Sequence, residues 1–451
     1  MLLAAVVIRV IRSPSPSRST APNILLVLTD DQSLDTLPTE PAAMPWFQSQ
    51  LRDPAGHWLW FPNAVVSTPL CCPSRSTLLT GRYDVHTGVR DNQEGSDLND
   101  TNTLPVWLHD AGYTTGLVGK YLNNYPFGGA PYVPPGWDRW FAKENSNEST
   151  AYFDYDVVDQ GVVRSFGDAP EDYATDVLGG AADAFLRGAP ASEPWFLYFA
   201  PNAPHGPSIP APRYAHALGG FRPPMPPPRE LNDVRGKPGY VRAQPPIGPT
   251  ALETLRADDL AERRTLLSVD DVFRELVGTI TARGELDRTV IIFMTDNGFE
   301  FGQHRLQSKR FPYEPSIGVP FAIRTPWTNA ATVPDLVSNV DVASTIAALA
   351  GAAPRLPQDG ISLAPLVYGR APPERAGVWL DWGGDAVVPP WTGVRTARFT
   401  YVVNADGTEE LYLHASDPGE LRNLAGVPRF HALLERARSL RHRLAPAGGG
   451  G

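Results

Sequence analysis

Two short motifs about 265 residues apart end in nearly the same way. Thr29-Asp30-Asp31 follows the apolar run 23–28 (NILLVL), and Thr295-Asp296-Asn297 follows 289–294 (TVIIFM). Carboxylates and a side-chain amide are hard oxygen ligands, suited to Ca²⁺ or Mg²⁺ rather than Zn²⁺. No Cys/His spacing for zinc lies near them. The alternative is that these residues cap turns or helices; their joint position after two apolar runs favours the metal. A second motif is Cys71-Cys72-Pro73-Ser74-Arg75, which runs on to Gly81-Arg82. Pro73 suits the first turn of a helix and Gly81 its stop. Cys71 is therefore expected at a helix N-terminus, where free N–H groups favour an anion. Arg75, one turn in, would add a guanidinium or fix the group at Cys71. The other reading of the two cysteines is a pair of small buried hydrophobes.

Lysine occurs only at 120, 143, 237 and 309, and every other basic residue apart from histidine is arginine. A compact ammonium is not interchangeable with a guanidinium, which singles out Lys120, at the end of an apolar run, and Lys309, 13 residues past Asp296. Lys143 and Lys237 read as surface charge. His205, in Ala-Pro-His-Gly-Pro after the run 195–200 (WFLYFA), suits a general acid, although a lone loop histidine is commonly just exposed. His304 has a similar status near Asp296. His86 lies near the cysteine helix with no assigned role, and His57, His216, His414, His431 and His442 have no supporting context.

These groups need elements to hold them. Runs of about six β-branched and aromatic residues at 23–28, 113–118, 195–200 and 289–294 read as strands buried on both faces. Between them, 174–187 reads as a helix. In 258–280, Leu266, Val269, Phe273, Leu276 and Ile280 form one helical face, and 341–350 is a helix stopped by Gly351. Strands alternating with helices predict an α/β fold around a large, doubly wound, mostly parallel mixed sheet. Such sheets bind ligands beyond the carboxyl ends of their strands, where all four polar clusters fall. The Pro-rich stretch 207–248 is expected to wall the substrate pocket. The predicted organisation is an N-terminal segment 1–21, a catalytic domain 22–371, a smaller α+β subdomain 372–446 and a tail 447–451.

The chain has 451 residues, with 39 basic against 49 acidic side chains and a formal charge of −10, which argues against a nucleic-acid partner. A local field can still favour a small anion. Two adjacent cysteines exclude a disulfide framework. No apolar run is long enough to span a membrane. Residues 1–11 are apolar but interrupted by Arg9, and read as a signal remnant or linker. Secreted, periplasmic, lysosome-like and cytoplasmic locations all stay open. Sequons at Asn99 and Asn147 matter only in a eukaryotic secretory pathway.

The run C-C-P-S-R-S-T-L-L-T-G-R at 71–82 resembles the sulfatase signature C-x-P-S-R-x-x-x-x-T-G. L-T-D-D-Q and T-D-N-G are similar to that family's calcium segments, and Gly119-Lys120, Pro204-His205, Lys309 and Tyr313-Glu314 also match. So does E-L-Y-L-H-A-S-D-P-G-E-L-R-N-L near the end, and the resemblance covers about residues 22–446. It implies an alkaline-phosphatase-like fold with a small C-terminal antiparallel subdomain. G-K-Y-L-N at 119–123, V-P-P-G-W at 133–137 and T-L-L-S-V-D-D at 265–271 are similar to N-acetylglucosamine-6-sulfatases and extracellular heparan-sulfate-editing relatives. Many sulfatases carry a histidine two residues after the lysine, where this chain has Leu122.

The resemblance implies that Cys71 is converted to Cα-formylglycine (3-oxoalanine) by a formylglycine-generating enzyme, and that its hydrate attacks sulfur. It implies Ca²⁺, or Mg²⁺, on Asp30, Asp31, residue 71, Asp296 and Asn297. Lys120, Lys309 and Arg75 would offset charge on the sulfuryl oxygens, and His205 would protonate the leaving alcohol. Asn123 or His86 would stand in for the missing histidine. The expected substrate is a small or oligosaccharide sulfate ester, glycosaminoglycan-like. Rival readings are a phosphonate or phosphate ester hydrolase of the same superfamily, and a non-catalytic binder of sulfated carbohydrate.

Overall fold

The computed structural model describes residues 21–144, 148–372 and 374–447. The segment 1–20, Asn147 and the tail 448–451 lie outside them. Four strands form the heart of the protein: β1 (Asn23–Thr29), β2 (Thr114–Lys120), β3 (Trp195–Ala200) and β4 (Thr289–Thr295). They lie side by side, all parallel, in the order β4-β1-β3-β2. Each is buried almost throughout, because successive side chains enter opposite cores. In β1, Ile24, Leu26 and Leu28 enter one core, and Leu25 and Val27 the other.

Helices cover both faces. The first face holds α1 (Cys71–Thr80), through Leu78 and Leu79. The second holds α2 (Ala174–Gly188) and α3 (Pro249–Ala282), whose Leu266, Val269, Phe273, Leu276 and Ile280 are all fully buried. A fourth helix, α4 (Asp341–Ala350), joins α1 on the first face and stops at Gly351, whose φ of 67° is the left-handed conformation glycine adopts without strain. α3 starts nine residues before the expected segment. Its first turns bury only Leu255, so no apolar stripe announces them, and Pro249 opens the helix as prolines do.

Among the described residues the sheet has ten strands, and antiparallel pairings enter towards both margins. Phe321–Arg324 runs antiparallel to β4 and to Trp58–Trp60, while beyond the parallel strand Arg139–Lys143 the strands Tyr155–Asp159 and Val162–Phe166 alternate. A separate antiparallel sheet follows: β5 (Val378–Trp382), β6 (Trp391–Arg395), β7 (Phe399–Asn404) and β8 (Glu409–Leu413). One face carries α5 (His431–Leu444) on Trp379, Val394, Tyr401 and Leu411. The other packs Leu380, Trp382, Trp391 and Tyr412 against Leu70, Leu306 and Tyr313 of the main body. Among the described residues no helix is long and apolar enough to cross a membrane.

Candidate active site

Strand register joins the distant motifs. Thr29 pairs with Thr295, so Asp30 and Asp296 leave adjacent strands side by side. The Asp31 amide donates to Asp296 Oδ1 at 3.1 Å, and Asn297 Nδ2 to Asp31 Oδ1 at 2.7 Å. Asp31 takes φ 64°, a left-handed conformation uncommon outside glycine and the kind of strain that gathers at functional sites.

The other two parallel strands complete the ring. β3 ends at a bridge between Pro204 and Asp30, and His205 Nε2 lies 3.5 Å from Asp31 Oδ2. β2 ends at Lys120, whose Nζ donates to Asp30 Oδ2 at 2.6 Å. Lys309 follows the hairpin of Glu300–Phe301 with Gln307–Ser308; its ammonium donates to Asp31 and, at 2.9 Å, to Cys71 Sγ. Cys71 is the first residue of α1, and its Sγ lies 3.4 Å from Asp30 Oδ1. Asp30, Asp31, Cys71, Arg75, Lys120, His205, Asp296, Asn297 and Lys309 therefore meet at one end of the sheet.

Arg75 is fully buried one turn into α1. Of its two expected roles, fixing the group at residue 71 is not what the contacts report. Its Nε donates to Asp296 Oδ2 at 2.8 Å and its Nη1 to the Lys120 carbonyl at 3.0 Å; Asp30 is 3.7 Å from Nη2.

Burial opposes charge on Asp30, but Lys120, His205, Arg75 and Lys309 outweigh it and hold the carboxyl well below its ordinary range. Asp296 goes the other way, raised by burial and by the Asp30 charge. Burial and Asp30 also push the Cys71 thiol up, so the unmodified side chain is neutral and a poor nucleophile. Ligand atoms of Asp30, Asp31, Cys71 and His205 lie within 4.8 Å of one another. Asn297 Oδ1 is buried without a hydrogen-bond partner. The oxygen donors here, the carboxylates of Asp30 and Asp31 with the adjacent Asp296 and the uncommitted Asn297 Oδ1, fit Ca²⁺ or Mg²⁺, whereas the Cys71 sulfur and the His205 nitrogen do not favour a hard cation.

A cavity of about 440 Å³ opens onto Asp31, His205 and Lys309. Pro207 and Ser208, from the start of the Pro-rich stretch, line it. So do residues that sequence reading passed over: Asp258 and Glu262 of α3, and Phe299 and Phe301. The carboxylates at 258 and 262 are one helical turn apart, and that spacing was their only signal. Glu262 accepts the Ser33 amide at 2.8 Å, fixing the chain just past Asp31.

Several expectations need correction. Lys143 and Lys237 are buried rather than surface charges. Lys143 lies 5.2 Å from the Tyr155 ring centre, and burial pulls its ammonium down to about 8. Lys237 sits between the rings of Tyr313 and Tyr412, at 3.7 and 4.3 Å. His86 points away from the cluster, with Nδ1 2.7 Å from Asp359 and Nε2 3.0 Å from the Ala447 carbonyl. Asn123 serves Cys72 rather than Cys71, its amide donating to Cys72 Sγ at 3.0 Å. His304 packs at a tilt of 58° against Tyr313, ring centres 4.6 Å apart, outside the cluster.

The chain is similar to known proteins in sequence and in fold. The profile described as Sulfatase matches residues 22–352, and that of the N-sulphoglucosamine sulphohydrolase C-terminal region matches 302–445. N-acetylglucosamine-6-sulfatase of Homo sapiens is 34% identical over 387 residues, 81% of this chain and 67% of that protein. The extracellular sulfatase SULF-1 homolog of Drosophila melanogaster is 32% identical over 371 residues, 80% of this chain. The chain spans 32% of the length of that relative. Among solved structures, one bound to its substrate D-glucosamine-2-N,6-O-disulfate superposes with a TM-score of 0.83 at 23% identity, covering 94% of this chain and 97% of the other. The phosphonate monoester hydrolase of Agrobacterium radiobacter superposes at 0.74 with 21% identity, covering 94% and 96%.

Proposed function

The chain belongs to the sulfatase family, and from that premise we propose that it hydrolyses a sulfate ester of a carbohydrate, of the N-acetylglucosamine 6-sulfate type. The observation that carries this reading is Cys71, at a helix N-terminus and within hydrogen-bond reach of Lys309, beside the carboxylates of Asp30 and Asp31.

Formylglycine at position 71, formed by a formylglycine-generating enzyme, would supply an aldehyde hydrate, one hydroxyl to attack sulfur and a second whose loss of a proton would re-form the carbonyl and expel the sulfate on the first oxygen. Asp30, Asp31, Asp296 and Asn297, with residue 71, would hold the divalent cation, Ca²⁺ or Mg²⁺, which supplies Lewis-acid polarisation of the sulfuryl oxygens. The chain's own residues do the rest. Lys309 reaches both Asp31 and the side chain at 71, so its ammonium is set to meet charge growing on a sulfuryl oxygen. Lys120 balances Asp30 from the far side. Arg75 orients Asp296 and acts on substrate through it, as a positioning residue.

His205 gives the proton to the leaving alcohol. Its Nδ1 lies 2.6 Å from the Gly206 carbonyl, which can only accept, so Nδ1 carries hydrogen and Nε2 faces the site. The Tyr152 hydroxyl donates to the His205 carbonyl at 2.8 Å and steadies the loop. With His86 and Asn123 turned elsewhere, Lys309 is within hydrogen-bond reach of residue 71, and as an ammonium held charged by Asp31 it would stabilise the departing sulfate rather than accept a proton.

The test is to express the protein with and without a formylglycine-generating enzyme, read peptide 71 by mass spectrometry, and assay both preparations. Converted protein should release sulfate from N-acetylglucosamine 6-sulfate and from p-nitrophenyl sulfate faster than it cleaves the matching phosphate and phosphonate esters. Cys71→Ala should fold and be inactive. Full turnover by protein carrying only the thiol would refute the reading, and preference for a phosphonate would transfer it to the hydrolase alternative.

A further inference from the structure

A second cavity, of about 470 Å³, adjoins the reaction cavity. Phe299 and Phe301 line both, their ring centres 5.0 Å apart. Its walls include distant parts of the chain, among them Ser33–Asp35 just past the cluster, Pro224–Pro226 of the Pro-rich stretch, and Pro418–Glu420 after β8. The expected wall at 207–248 thus serves two chambers.

Two buried polar atoms without a hydrogen-bond partner belong to residues that line this second chamber. They are His304 Nδ1 and Glu420 Oε1, on residues 1% and 2% exposed. Leaving such an atom unsatisfied costs about 1–3 kcal/mol, so a chamber wall carrying two of them is built to meet hydrogen-bonding groups. Burial pushes the Glu420 carboxyl up to about 8 and the His304 imidazole well down. Near neutral pH both are uncharged, each able to donate and accept. No lysine or arginine lines the chamber, whereas Asp35, Glu230, Asp259 and Glu314 do. Arg263 pairs with Asp35 and Asp259, and Arg395 with Glu314, from behind the wall. An anion entering would meet carboxylates on the wall, while the Lys237 ammonium lies outside the lining, held between Tyr313 and Tyr412. The aromatic pair offers an apolar face and the neutral groups offer hydrogen bonds, a combination that suits a sugar ring.

We propose that this chamber is the subsite for the sugar next to the one bearing the scissile sulfate, and that it selects an uncharged, hydroxyl-rich unit over a sulfated or carboxylated one. The inference deepens the proposed function and rests on it for its substrate. Converted enzyme is to be assayed on N-acetylglucosamine 6-sulfate alone, linked to galactose, and linked to glucuronate. The galactoside should show a KM at least about fivefold below that of the glucuronide, the scale of one hydrogen bond gained or one repulsion avoided. Glu420→Ala should erase the advantage of the galactoside over the monosaccharide. Glu230→Lys, at a partly exposed wall position, should lower the KM of the glucuronide. Equal KM values for the two disaccharides, unmoved by Glu230→Lys, would overturn the subsite. A second arm does not need turnover: saturation-transfer NMR of unconverted protein with unsulfated N-acetyllactosamine should show contacts that Glu420→Ala removes. Absence of those contacts overturns the subsite whatever the enzyme hydrolyses. Their presence without turnover of any sulfated sugar supports the subsite and overturns the proposed reaction instead.

Discussion

The pair Arg75–Asp296 offers the sharpest energetic test, because it can be read without catalysis. Both side chains are fully buried, and the guanidinium is bound by Nε to Asp296 and by Nη1 to the Lys120 carbonyl. Arg75→Met keeps much of the volume but strands the Asp296 carboxylate, which retains only the Asp31 amide among these donors. Breaking a buried ion pair from one side costs about 3–5 kcal/mol. Asp296→Asn strands the guanidinium in turn, with Asp30 at 3.7 Å as its remaining counter-charge, and should cost a similar amount. In the double variant no unpaired charge is left at this contact, so the two costs should not add. A coupling of about 2–3 kcal/mol is expected. The assay is urea unfolding at neutral pH of unconverted protein in chelator, for the wild type, both single variants and the double. Additivity within about 0.5 kcal/mol would show that the two residues do not share one buried charge pair, and the positioning role given to Arg75 would fall with it.

Other outcomes follow from the same contacts. Gly119 in β2 has φ 120°, and a Cβ there would lie 2.0 Å from the Ala200 carbonyl oxygen; Gly119→Ala should cost about 3 kcal/mol or more. Gly112→Ala, also at a positive φ (83°) but with nothing within 4 Å, should cost only the backbone strain and so less, and equal thermal shifts for the two would contradict the packing of β2 on β3. Glu420 keeps its proton up to about 8 in the folded chain against an ordinary value of 4.5. Its contribution is therefore full below the ordinary value and is lost as pH rises through the folded one, by at most about 5 kcal/mol. Glu420→Gln should flatten that decline in urea midpoints, and coincident wild-type and variant curves count against the buried neutral carboxyl. Added Ca²⁺ should raise the melting temperature of unconverted protein, by about 2.7 kcal/mol of stability at a hundredfold excess over Kd. Asp31→Ala should abolish that shift, and an undiminished shift would move the cation elsewhere.

The sequence carried the parts of the site that depend on local pattern. Apolar runs of six or seven β-branched and aromatic residues are too short for buried helices and read as strands buried on both sides, which put the residues just beyond them at one edge of a sheet. Cys-x-Pro before a helical stretch ended by glycine likewise fixed where residue 71 stands on α1. The margins of the sheet were harder. Trp58–Trp60 and Ala331–Thr332 are too short to show a period, and Val162–Phe166 is almost wholly exposed, so hydropathy could not mark it. In the C-terminal sheet, Trp391–Arg395 carries a glycine at its centre and no clear alternation.

What the linear chain determined by itself was which residues stand at the ends of strands and at the head of a helix, since those positions follow from periodicity, capping and turn chemistry within a few neighbours. Only the tertiary structure decided who meets whom. It committed Arg75 to Asp296, turned His86 and Asn123 away, buried Lys143 and Lys237 against tyrosines, and closed a second chamber from segments nearly four hundred residues apart. Charge pairing and burial are set by distance in space, and no spacing along the chain encodes that distance until register and packing have brought the strands together.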